Sequence, residues 1–127
     1  MSRLIGVLLI IFLIPACIEN DRPTPFCEVA NPIEDLAWLK GIIIDLEESI
    51  ARDDNHFFDT FWFKQFTYQD TQYFMQGDCC ASCFTVPTYY DCVGDSVTFE
   101  LPPEEVDTFW QTINSAEVIW QGGACTF

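Results

Sequence analysis

Apolar and polar residues alternate with two different periods along this chain, and each period predicts one kind of element. Between residues 32 and 52, apolar side chains recur every three or four positions, which predicts a long amphipathic helix with a single apolar stripe. The stripe consists of Leu36, Leu39, Ile43, Leu46 and Ile50. Asn31 is a favourable N-cap and Pro32 is favourable at the first helical position, so we expect the helix to begin there.

From residue 57 the period shortens to two, which is typical of β-strands. Residues 57–68 carry aromatic side chains on both sides of a predicted strand, although the four-residue spacing of Phe58, Trp62 and Phe66 leaves a helix over 57–66 as an alternative. Further strands are predicted at 72–75, 88–92, 96–100 and 117–120, and a short helix at 103–114. We therefore predict an α+β domain. A long N-terminal helix packs on a small antiparallel sheet of four to five strands, with a second short helix and disulfide staples.

The first sixteen residues have the pattern of an export signal. Arg3 is followed by an apolar run over residues 4–14, and the small residue Ala16 precedes Cys17. The run is shorter than the roughly 20 residues that a membrane-spanning helix needs. This arrangement resembles the lipobox of bacterial lipoproteins, and the resemblance implies cleavage after Ala16 and attachment of lipid, palmitate included, to Cys17. We expect a signal peptide at 1–16, a flexible tether at 17–30 and one domain at 31–127.

Three later segments carry a second resemblance. The sequences PIEDLAWLK at residues 32–40, FTYQDTQYF at 66–74 and YDCVG at 90–94 are similar to an uncharacterised family of small secreted, cysteine-containing bacterial lipoproteins. The resemblance implies no activity. It implies a lipid-anchored protein of the bacterial cell envelope. Because no Asp directly follows Cys17, and Glu19 and Asp21 come soon after it, we expect residence in the outer membrane.

The charge and the cysteines narrow the classes of function. Twenty carboxylates against five basic residues give a formal net charge of −15, which repels nucleic acids and anionic lipid headgroups. Once Cys17 carries lipid, six cysteines remain, and an even number in an exported chain predicts three disulfides. They are Cys27, Cys79, Cys80, Cys83, Cys92 and Cys125. Six cysteines permit fifteen pairings, and setting aside the three that would join the neighbours Cys79 and Cys80 leaves twelve, so the connectivity stays open. A zinc site and a redox-active Cys80–Cys83 pair are the alternatives.

No residue pattern indicates catalysis, a metal or a cofactor. The single histidine, His56, lies in a polar turn, and the adjacent glutamates point apart on a helix. The aromatic residues Trp38, Phe61 and Phe63 are candidates for binding a protein or glycan partner, unless the second helix covers the sheet face that carries the other rings. We expect a monomeric, non-enzymatic envelope lipoprotein with a binding or structural role, attached to the membrane through Cys17. The alternatives are an extracellular protein inhibitor and a thiol–disulfide protein.

Overall fold

A computed structural model describes residues 25–54 and 56–127 of the chain. Its elements in chain order are α1 (Pro32–Asp35), α2 (Ala37–Arg52), a 3₁₀ turn (Phe58–Thr60), β1 (Phe61–Tyr68), β2 (Thr71–Asp78), β3 (Thr88–Tyr90), β4 (Ser96–Val97), α3 (Pro103–Asn114) and β5 (Glu117–Gln121). The strands form one five-stranded antiparallel sheet in the order β4-β3-β2-β1-β5. The two eight-residue strands therefore lie inside the sheet, and the shorter ones flank them.

The prediction of one long N-terminal helix over residues 32–52 is wrong. The segment is divided at Leu36, whose extended backbone (φ −90°, ψ 104°) separates the four-residue α1 from the sixteen-residue α2. In a continuous helix, Leu36 and Trp38 would point about 200° apart. The break allows both side chains to pack against the same apolar cluster. The three- and four-residue spacing continues through the break, so periodicity alone cannot reveal it.

Both faces of the sheet are covered by a helix. On one face, Leu39, Ile43 and Leu46 of α2 pack against Phe63 and Phe74. On the other face, α3 contributes two buried side chains to a second cluster formed with three residues of β1 and β2. This second cluster comprises Phe109, Ile113, Trp62, Phe66 and Met75, together with Cys125. The aromatic residues on both sides of β1 therefore belong to the core, as expected when rings recur at strand spacing.

The central hairpin turns through two residues with left-handed backbone. Gln69 and Asp70 have φ values of 47° and 61°, the conformation of a type I′ turn, whose twist suits antiparallel strands. Tyr68 pairs with Thr71 directly beside this turn. The strand that precedes it begins at Phe61 and comes after a single 3₁₀ turn, so the alternative helix over residues 57–66 does not form.

The domain begins earlier than the predicted tether boundary at residue 30. Phe26 and Val29 form a bridge around a tight turn, and Cys27 donates its backbone N–H to Gln72 Oε1 at 2.7 Å. The Phe26 ring also contacts the ring of Phe74. Residues 26–29 are thus part of the packed domain rather than of a flexible tether.

The six cysteines after residue 17 are joined in three pairs: Cys27–Cys92, Cys79–Cys125 and Cys80–Cys83. The predicted signal peptide, the lipidation site Cys17 and the predicted tether up to residue 24 lie outside the described residues. Among the helices that the structure describes, none combines the length and the apolar character needed to span a membrane.

Candidate functional site

The candidate site is the loop of residues 79–87 between β2 and β3, here called the pinned loop. It is fixed to the domain at its first residue, because Cys79 is bonded to the buried Cys125 and donates its backbone N–H to the carbonyl oxygen of Thr60 at 2.9 Å. At its other end the chain enters β3, where Thr88 pairs with Gln76 of β2. Both ends of the loop are therefore attached to the same sheet.

A second disulfide closes a turn inside the pinned loop. Cys80 and Cys83 are bonded with their Cα atoms 5.3 Å apart, and the backbone N–H of Cys83 donates to the carbonyl oxygen of Cys80 at 3.3 Å. The carboxylate of Asp78 accepts the backbone N–H of Cys80 at 3.0 Å. These bonds restrict the backbone on the N-terminal side of Phe84, so the loop loses less conformational entropy when it binds a partner.

The pinned loop presents the most exposed large apolar side chains among the described residues. Phe84 is fully exposed (103%) and Val86 is 86% exposed, whereas Trp110 on α3 is 44% exposed. Burying such a side chain in the core would contribute roughly 1.5–3 kcal/mol to stability. Neither contributes to the core of this fold, so the protein forgoes that stabilisation at two positions two residues apart. Large contiguous apolar patches mark interaction surfaces, and these two neighbouring side chains make the loop a candidate for one.

The end of the sheet that carries the pinned loop is acidic. Asp78 is the last residue of β2 and pairs with Phe61 at the start of β1. Asp59 lies two residues before Phe61 in the 3₁₀ turn, and its backbone carbonyl accepts the N–H of Ala124. Asp53 lies at the end of α2 and accepts the backbone N–H of Phe57 at 2.9 Å. The carboxylates at this end favour a partner that carries positive charge around its binding pocket.

The environment of the Cys80–Cys83 pair is unlike that of a reactive dithiol. The ionisable group beside the pair is Asp78, and its carboxylate oxygen and the two sulfurs lie within 4.8 Å of one another. A neighbouring negative charge disfavours the thiolate, which is the nucleophile in disulfide exchange. The described chain continues from Cys83 into a loop and then a strand, so it places no helix N-terminus after the pair.

The disulfide pairing also argues against the alternative of a zinc site built from cysteines. Cys79, Cys80, Cys83 and Cys92 would have to supply four thiolates, yet each is bonded in a disulfide, and Cys92 is joined to Cys27. A disulfide sulfur is not the thiolate ligand that zinc requires. In the oxidised protein, Asp78 is therefore the one potential metal ligand left in the cluster of Asp78, Cys80 and Cys83.

The predicted binding aromatics serve the core instead. Phe63 is fully buried between α2 and the sheet, so it cannot contact a partner. Trp38 donates its indole N–H to the carbonyl oxygen of Cys92 at 3.1 Å, and its ring packs against Phe74 and Tyr90. Phe61 is half-buried and packs within a local ring cluster, against Phe57 and Phe58. The three residues do not form one surface.

Sequence reasoning missed Phe84. Its position in the sequence could have indicated its exposure, because Phe84 is the one aromatic residue between Cys83 and Pro87, in a segment without strand or helix periodicity. An aromatic residue in such a segment has no element to bury it. His56, in contrast, lies where the sequence predicts, in an exposed turn where its Nδ1 is 2.9 Å from Asp59 Oδ2.

Several clefts lie at the opposite end of the hairpin, and one of them contains an ionisable pair. This cleft has a volume of about 330 Å³, and Thr67, Gln69 and Thr108 line it together with a bonded pair. In this pair the Tyr68 hydroxyl donates to the carboxylate of Glu105, and this bond raises the pKa of Tyr68 above its ordinary value. The hydroxyl is thus held in its protonated form, in which it is a hydrogen-bond donor and a weak nucleophile.

A comparison with known proteins finds no matching family model, curated protein or solved structure.

Proposed function

We propose that this chain is a lipid-anchored protein of the bacterial cell envelope that binds a partner protein through its pinned loop. The observation that carries the binding role is the complete exposure of Phe84 and the near-complete exposure of Val86 on a loop attached at both ends. The anchor rests on the sequence before Cys17 and on its resemblance to a lipobox. The exposed loop and the lipobox together support a non-enzymatic binding protein held at the membrane. We expect this membrane to be the outer membrane.

A projecting loop is well suited to recognition. Aromatic residues supply much of the binding energy at protein interfaces when they enter a pocket in the partner. The ring of Phe84 is free to do so because no other part of the described domain covers it. The loop does not have to be released from the domain first, so the cost of binding is confined to the ordering of a few residues.

A thiol–disulfide protein using Cys80 and Cys83 is the second candidate. One observation favours it, namely that the two cysteines form a disulfide with a separation of three residues at a partly accessible position. The carboxylate of Asp78 beside the pair argues against easy formation of the thiolate. Thiol titration of the domain as isolated, denatured without added oxidant or reductant, distinguishes the two candidates, since the binding protein should show no free thiol and the thiol–disulfide protein should show two, at Cys80 and Cys83.

The binding role is tested by photo-crosslinking in the cells that make the protein. Phe84 is replaced by p-benzoyl-phenylalanine, and Trp110, a half-exposed residue on α3, receives the same replacement as the matched control. We expect a discrete adduct of higher mass from position 84 and none from position 110. Equal labelling at both positions, or none at position 84, would contradict a binding role for the loop.

The anchor is tested separately by Cys17→Ser. We expect this variant to lose the mass of the lipid and to leave the membrane fraction, while the oxidised domain keeps its fold. The measurement is mass spectrometry of the N-terminal peptide. An unmodified cysteine at position 17 in the mature wild-type protein would remove the anchor from the proposal.

A further inference from the structure

We infer that the pinned loop is the inhibitory segment of a protein that blocks an endopeptidase, with Phe84 filling the apolar primary specificity pocket of that enzyme. The inference rests on the proposed binding function of the loop and names the class of its partner. The site consists of Phe84, Val86 and the Cys80–Cys83 bond that precedes them.

The shape of the loop indicates a concave partner. A fully exposed ring that projects from a loop buries most of its surface only when it enters a pocket, because a flat surface contacts just one side of it. In an extended chain, side chains two residues apart point to the same side, so Phe84 and Val86 can enter the same cleft. Substrate clefts of endopeptidases are concave and bind extended chain segments. In extended form, the segment from Phe84 to Val86 would fit such a cleft as a substrate does.

The attachment of the loop explains how a substrate-like segment could act as an inhibitor. If the enzyme hydrolyses the bond between Phe84 and Thr85, water supplies a hydroxyl to the Phe84 carbonyl carbon and a proton to the Thr85 nitrogen. The new carboxylate remains joined to the domain through Cys83, which is bonded to Cys80, and the new amine remains joined through β3. Neither product end can diffuse away, so the cleaved protein still occupies the cleft.

The chemistry of Phe84 selects the type of enzyme. An aromatic ring fits the hydrophobic primary pocket of chymotrypsin-like proteases, whereas trypsin carries a carboxylate in that pocket and selects basic residues. The acidic surroundings of the loop, Asp78 and Asp59 among them, favour an enzyme with positive charge near its cleft. An anionic membrane is a poor partner for the same reason, since a chain with a net charge of −15 is repelled by it.

The test uses the full-length oxidised protein in a nonionic detergent and two commercial enzymes. Bovine chymotrypsin is assayed with a chromogenic phenylalanine peptide, and bovine trypsin with a chromogenic arginine peptide. We expect competitive inhibition of chymotrypsin and none of trypsin. Phe84→Ala should weaken the inhibition of chymotrypsin at least about 30-fold, since anchor residues of interfaces contribute that much. Phe84→Lys should transfer inhibition to trypsin.

Two controls separate recognition from folding. Trp110→Ala removes a half-exposed aromatic side chain elsewhere on the surface and should leave the inhibition constant for chymotrypsin unchanged. Phe84→Lys places a charge at a fully exposed position, so its unfolding curve should match that of the wild type within about 0.5 kcal/mol. A transfer of specificity from chymotrypsin to trypsin is a result that a merely structural role for Phe84 could not produce.

Three results would overturn the inference. The first is failure of the wild type to inhibit chymotrypsin together with failure of Phe84→Lys to inhibit trypsin. The second is cleavage after Phe84 as fast as in an unfolded peptide of the same sequence. The third is binding of the loop to phosphatidylcholine vesicles that depends on Phe84, which would assign the loop to a lipid surface. If both inhibition assays fail but crosslinking at position 84 still gives a protein adduct, the proposed binding function is supported. In that case only the protease is rejected as the class of partner.

Discussion

The three disulfides should differ in their contributions to stability because they close loops of very different length. Cys27–Cys92 joins residues 65 positions apart, whereas Cys80–Cys83 joins residues three apart. A cross-link restricts the unfolded chain, and the entropy it removes increases with the logarithm of the loop length. At 25 °C this relation gives about 4 kcal/mol for Cys27–Cys92 and about 1.6 kcal/mol for Cys80–Cys83. The first value is a large fraction of the roughly 5–15 kcal/mol that stabilises a typical domain.

The perturbation is the paired replacement Cys27→Ala with Cys92→Ala, and the matched control is Cys80→Ala with Cys83→Ala. Urea unfolding of each oxidised protein is monitored by the fluorescence of its four tryptophans. We expect the first variant to lose about 4 kcal/mol of unfolding free energy and the control to lose less than about 2 kcal/mol. The first variant should also show a steeper dependence on urea, because its unfolded chain is less compact and exposes more surface.

Equal losses in the two variants would refute this reasoning. They would mean that native-state contacts of the sulfurs, rather than loop closure, determine the stabilisation. A large loss without a change in the urea dependence would point the same way, since loop closure acts on the unfolded chain alone. Thermal unfolding of the same two proteins provides an independent measurement of the order of their stabilities.

Two further predictions concern local packing and pH. Gly94 has a left-handed φ of 92°, and a Cβ placed there would lie 2.6 Å from Trp38 Cγ. Gly94→Ala should therefore cost about 2–4 kcal/mol in a urea titration, against less than about 0.5 kcal/mol for Gly123→Ala, where a Cβ meets nothing within 4 Å. Burial raises the pKa of Tyr89 and Tyr90 above 10.0. The unfolded chain then loses these protons before the folded chain does. Stability measured between neutral pH and pH 12 should therefore fall once the pH exceeds about 10, and less steeply in Tyr89→Phe. A fall that already begins near pH 7 would contradict this assignment.

Features that depend on periodicity could be predicted from the sequence, whereas features that depend on tertiary contacts could not. Alternation along residues 61–68 correctly separates Trp62 and Phe66 from Phe63, because a strand places successive side chains on opposite faces. The same rule places Lys64 on the face beneath α3, and charge alone would predict it to be exposed. Its ammonium group is instead buried, where it donates to the carbonyl oxygen of Ile113 near the end of α3 and lies 5.1 Å from the Trp62 ring. The partial negative charge of that helix end compensates the cost of burial.

The break at Leu36 and the exposure of Phe84 were unpredictable for different reasons. At Leu36 the local signals favour a helix on both sides, and the break accompanies tertiary contacts of Leu36 and Trp38 with distant residues. At Phe84 there is no periodic signal, and its surroundings depend on which cysteines pair. The pairing is a property of the folded chain, because spacing alone leaves twelve alternatives once a bond between the neighbours Cys79 and Cys80 is set aside.

The Cys80–Cys83 bond should affect binding by the pinned loop more than it affects the stability of the domain. A separation of three residues gives the smallest stabilisation of the three bonds, so its main physical effect is to restrict the backbone that leads into Phe84. The other two bonds join distant elements, and Cys79–Cys125 also attaches the start of the loop to Cys125, a buried residue near the C-terminus. Removing Cys80 and Cys83 together should therefore leave a folded domain whose loop binds more weakly, because more conformational freedom is lost on binding. A loss of affinity that greatly exceeds the loss of stability in this one variant is what distinguishes a loop shaped for recognition from a loop that is merely exposed.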